Sequence, residues 1–124
     1  MALDSVSTPT IVDEIPFKSR TYWSVNGQDT DASTAIDIVA APGAGKSLYI
    51  TDIVLGSDDA DAHPQLQDGA AAVLFGPLMS SVEGPHIAVH LDRPIKVATN
   101  KSIAAKAAAA GNVFIFISGA TADD

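Results

Sequence analysis

The chain has 124 residues, 47% of them hydrophobic and 6% aromatic, and a formal net charge of -8. That length supplies one ordinary domain, and the charge repels nucleic acid and anionic membrane surfaces, which excludes both as partners. There is no cysteine, so disulfides and thiolate metal sites are excluded too.

With so few aromatics the core must be built from Ala, Val, Ile and Leu. Small side chains bury little area each, and at about 25 cal/mol per Å² they stabilise weakly. A thin core of this kind is commonly reinforced by association, so an oligomer is expected. Residues 1–10 hold neither the basic nor the apolar region of a secretory leader. No apolar run approaches the ~20 residues of a membrane span. Synthesis and folding in a cytoplasm are expected.

Residues 1–30 read as an extended N-terminal arm that ends in a first strand, and residues 31–124 as the β domain. The arm holds Pro9 and Pro16 among the apolar residues Ile11, Val12, Ile15, Phe17, Tyr22 and Trp23. It is too short to bury these alone, so it is expected to lie across a partner or to extend a neighbouring sheet. Phe17, Tyr22 and Trp23 are the candidate partner-binding residues. A first strand is expected near Arg20–Val25, closed by a tight turn at Asn26 and Gly27, which both tolerate positive φ. Gln28–Ser33 then reads as a polar loop.

From Thr34 onward, apolar runs of strand length alternate with clusters of Gly, Pro, Asn and Asp at intervals of about 8–12 residues, the pattern of a sandwich or barrel. Strands are expected over residues 34–41, 47–56, 62–67, 70–75, 78–82, 86–91, 95–99, 102–107 and 112–119. Within His86–Asp92, Ile87, Val89 and Leu91 fall on one face and His86, Ala88, His90 and Asp92 on the other, as on a half-exposed strand. Val113–Ile117 is apolar on both faces, which suits mid-sandwich burial or a subunit contact. The alanines of Ile103–Ala110 favour helix by propensity, but Pro94 and Gly111 fence the segment and its neighbours are β, so a strand is expected.

Ala40–Ser47 matches a relaxed phosphate-loop pattern. Such a loop needs a helix after it, with its N-terminus facing the phosphates. Here β-branched, strand-like residues follow, so the segment reads as a Gly-rich hairpin turn with Lys46 in solvent. Asp58, Asp59, Asp61 and His63 form an oxygen-rich cluster without the glycine and distal glutamate of a helix-loop-helix calcium site, and read as a solvated acidic loop. His86 and His90 would share one strand face ~13 Å apart, too far for one metal ion. They read as surface or interface histidines. No serine sits in a nucleophile elbow, and no catalytic, cofactor-binding or metal-ligating residue is assigned. The chain is expected to be non-enzymatic and to need no cofactor.

The run Ala41–Leu55, opened by Pro42, Gly43, Gly45 and Lys46, is followed by Leu66–Gly69, Leu91–Lys96 and Asn100–Ile103. Together they resemble small jelly-roll structural proteins of tailed bacteriophage virions, of the capsid decoration or cement type, over roughly residues 34–119. The resemblance implies an all-β, jelly-roll-like antiparallel β-sandwich of eight or so strands, its terminal strand ending in Gly119. It also implies a homotrimer on the virion surface, with a major capsid protein as partner. Similar jelly rolls serve as receptor- or carbohydrate-binding tail and fibre modules. That alternative would stack its ligand on Tyr22 and Trp23 or bind through the Asp58–His63 loop.

Overall fold

The computed structural model describes residues 15, 20–59, 61–79 and 86–124. Expectations for residues 1–14 and 16–19 of the arm, Phe17 among them, and for 80–82 of the strand expected at 78–82 lie outside the described residues; Leu78 and Met79 are not in a strand. Eight strands follow in order: β1 (Thr21–Asp29), β2 (Ile36–Val39), β3 (Lys46–Ser57), β4 (Gln65–Asp68), β5 (Val73–Phe75), β6 (His86–Lys96), β7 (Ile103–Lys106) and β8 (Val113–Asp123). They form two antiparallel four-stranded sheets, ordered β1-β8-β3-β6 and β2-β7-β4-β5. Only β4 and β5 are neighbours in both chain and sheet. Every other connection crosses between sheets, which is the double Greek-key path of a jelly roll.

The core is the predicted aliphatic one. Leu48, Ile50, Ile53 and Leu55 of β3 face Ile103 and Ala105 of β7 and Leu66 of β4, with Val113, Ile115 and Ile117 of β8 beside them. Ala32, Ala62 and Ala107 fill the margins. The alanine run is therefore useful as strand: Ala105, beside Ile103 in the core, allows the sheets to approach where a larger side chain would hold them apart. The strand stops at Lys106, earlier than expected. Beyond it the Ala107 and Ala108 amides donate to the loop carbonyls of Ala32 and Ala62 and leave the ladder.

Several local turn signals are overridden by long-range pairing. Asn26 and Gly27 do not turn; they lie inside β1, paired with Phe116 and Ile115 of β8, and Gln28 and Asp29 continue the strand. Asp92–Pro94 does not separate two strands either. Ile50 pairs with Ile95 and Asp52 with His90, so four residues of β6 bulge out opposite Thr51. Pro94 has no N–H to donate, and a bulge on an edge strand tolerates that. The Gly43–Lys46 turn is no hairpin, because β2 and β3 belong to different sheets. Nor does β8 end at Gly119; it runs on to Asp123.

Candidate interaction surface

Strand register sorts the outward-facing residues of the first sheet into four rows, read across β1, β8, β3 and β6. Tyr22, Ala120, Tyr49 and Lys96 form the first row, and Ser24, Ser118, Asp52 and His90 the second. Asn26, Phe116, Val54 and Ala88 form the third, and Gln28, Phe114, Gly56 and His86 the fourth. Ile15 covers the middle of the first row by packing on Tyr49 and Ala120, and also meets Ala122 beyond it. Its carbonyl oxygen accepts a hydrogen bond from Arg20 Nη2. The far end is open, with Phe114 and Phe116 each 40% exposed and Val54 45% exposed. Val113–Ile117 is thus buried on its inner face only; in this chain the outer face is not mid-sandwich.

The second row is polar and tightly bonded. Asp52 Oδ1 accepts from His90 Nδ1 at 2.6 Å, while Oδ2 accepts from Ser118 Oγ at 2.8 Å and Thr51 Oγ1 at 2.9 Å. The carboxylate stands between hydroxyl and imidazole. A nucleophile relay needs the imidazole on the hydroxyl, so this order orients a surface patch and does not activate Ser118. Hydrogen bonding to His90, then to Ser118 and Thr51, holds the Asp52 carboxyl below its ordinary range. The hydrogen bond to Asp52, with that residue's charge and a smaller effect of Asp92, pushes the His90 imidazole up.

The two shifts have opposite pH limits. His90 contributes fully below its ordinary 6.5 and loses the contribution as pH rises through its raised folded value. Asp52 contributes above its ordinary 3.8 and loses it as pH falls through its depressed folded value. Both groups are exposed and screened, so the effect is small. His90→Gln should lower the melting temperature slightly at about pH 5, with the gap to wild type closing by about pH 9. A gap of equal size at both pH values would mean that the ring acts by packing alone.

The aromatic pair splits across β1. Tyr22 is 68% exposed, with Arg20 Nη1 donating to its hydroxyl at 2.8 Å and the guanidinium 5.7 Å from its ring centre. Trp23 turns inward against the core, and its Nε1 is buried with no hydrogen-bond partner among the described residues. The two rings therefore do not form a joint stacking platform.

The Ala40–Ser47 segment lacks the backbone that a phosphate requires. Gly43 and Gly45 adopt φ of 110° and 76° in a tight turn, and a strand follows directly. The Gly43 N–H is taken by Asn100 Oδ1 at 2.9 Å and the Lys46 N–H by the Gly43 carbonyl at 3.2 Å. Lys46 Nζ lies 4.0 Å from Asp123, and Asp124 bonds Ser47 and Thr99, so acids surround the turn. In the 58–63 loop, Asp58 accepts from Asn112, Asp59 caps the Asp61 amide, and His63 Nδ1 lies 3.2 Å from the Leu78 carbonyl. No three His, Cys, Asp or Glu side chains gather as a metal site among the described residues.

Sequence reasoning placed His86 and His90 on one face, as found, but missed Asp52, Ser118 and Thr51. Nothing in their spacing reveals them, because two bulges set the register that joins them. Comparison of the chain with protein families, curated proteins and solved structures gives no match.

Proposed function

We propose that the chain is a non-enzymatic structural protein of a virion, which decorates and stabilises an outer capsid shell as a homotrimer bound to the major capsid protein. The supporting observation is the jelly-roll strand order, with two turns of the resemblance at its strand ends. The Gly43–Lys46 turn opens β3, and Asp68–Gly69 closes β4. An acidic sandwich with a thin aliphatic core gains most from assembly, and exposed Tyr22 supplies an aromatic handle. A tail module stacking sugar on the Tyr22–Trp23 pair is less favoured, since the indole packs on the core.

In purified virions the chain should occur at a fixed ratio to the shell protein. In light scattering at micromolar concentration it should run as a trimer. Tyr22→Ala should keep the fold and weaken co-sedimentation with undecorated shells by roughly ten-fold, the effect of losing an aromatic anchor. A monodisperse monomer that ignores such shells would overturn the reading.

A further inference from the structure

The side of the sandwich between the β1 and β2 edges holds a cavity of about 100 Å³. Val25, Gly27 and Asp29 of β1, Ile36 and Ile38 of β2 and Ile115 of β8 line it. One position leaves it unfilled. Gly27 takes the inward place between Val25 and Asp29, opposite Ile115, and a Cβ added there would meet nothing within 4 Å. Gly27 is nevertheless exposed, so the cavity opens at the β1 edge.

That edge is also the one left unguarded. Of the four edge strands described, β5 has three residues, β2 has four with a register shift, and β6 bulges at Asp92–Pro94. Short or bulged edges resist pairing with a further strand. β1 has neither device: its nine residues pair with β8 without a shift and include no proline, lysine or arginine. We propose that β1 accepts an added antiparallel strand from a partner protein, with one leucine or isoleucine side chain of that strand seated in the cavity.

The chemistry of the occupant follows from the lining. Apolar cavities stay dry, and one of ~150 Å³ accepts benzene, so the smaller volume here suits a four-carbon side chain. Antiparallel pairing matches every other pair in the two sheets. In that direction, a residue level with Gly27 enters the cavity, and the residue two before it lies level with Asp29 on the same face. Asp29 Oδ1 accepts from the Asp31 amide at 2.8 Å, and its carboxylate meets no cation among the described residues. The added strand therefore carries lysine or arginine two residues before its leucine or isoleucine. The inference does not rest on the shell-binding reading, and either can fail without the other.

The probe is a capped heptapeptide, threonine-lysine-threonine-leucine-threonine-valine-threonine, titrated into the full chain. It should bind saturably with a Kd below about 1 mM and shift the amide resonances of β1. Replacing its leucine with threonine should weaken binding about ten-fold or more, a test that leaves the protein untouched. Gly27→Val, which fills the cavity, should weaken it by about as much, while Asn26→Ala on the outward face should stay within about two-fold. Absence of saturable binding at about 1 mM, or equal binding of the leucine and threonine peptides, would overturn the proposal. So would N-acetyl-leucinamide binding as tightly as the heptapeptide, since the strand edge would then contribute nothing.

Discussion

Gly119→Ala is expected to destabilise the fold by about 3 kcal/mol, at the upper end of what overpacking costs. A Cβ at residue 119 would fall within the radius of the Tyr49 carbonyl oxygen and 2.9 Å from Cζ2 of Trp23. The first obstacle is backbone at the point where β3 shifts register against β8, and it cannot rotate away. The second is an indole held against the core. Gly27→Ala is the internal control: Gly27 lies in the same sheet, and its added Cβ would meet nothing within 4 Å. It should change stability by no more than about 0.5 kcal/mol. Urea titration of both variants decides the matter, and equal midpoints would refute the close-approach account of Gly119.

Asp68→Ala should cost about 2 kcal/mol through loss of charge-assisted hydrogen bonds. The buried Asp68 carboxylate closes the turn between β4 and β5. Its Oδ1 accepts from the Ala70 amide at 2.8 Å and the Ala72 amide at 3.0 Å. Its own backbone bonds Ala72 and Ala71, which holds Ala71 at a φ of 69°. Asp68→Asn keeps an acceptor at Oδ1 and should lose roughly half as much. If alanine proves no worse than asparagine in thermal unfolding, acceptor geometry is not what holds the turn.

The parts of the fold that were legible are those where a local pattern and its distant partner agree. Val89 and Leu91 of the alternating run turn one face of β6 partly onto the core while Ile87 stays exposed, and Asp68–Gly69 turns because its acid finds its own amides. The misreadings share one cause. Asn26–Gly27 and Asp92–Pro94 can bend a chain, but β8 supplies a ladder through the first, and β3 pairs on either side of the second, which bulges within β6. Turn propensity says where bending is cheap and is silent about which remote strand holds the segment straight. The polar patch was unreadable for a related reason. A one-residue slip moves a side chain to the opposite face. Without the extra residue at Thr51, Asp52 would point into the core, away from His90.

The position of β8 bears on the order of events during synthesis. β8 lies between β1 and β3; it is the only ladder partner of β1 among the described strands and joins β1 to the β3–β6 pair. A nascent chain lacking residues 113–123 therefore has two strands made and no ladder to join them. The second sheet meets the same delay, since β7 lies between β2 and β4. Before β7 and β8 are made, only the β3–β6 and β4–β5 pairs can form, so neither sheet is complete until the last strands arrive. Completion waits on a late closure over distant pairings, which is slow by nature. Until then Leu48, Ile50, Ile53 and Leu55 of β3 are exposed together. The acidic loops around them, with a net charge of -8 over the whole chain, are then the main defence against association with neighbouring nascent chains.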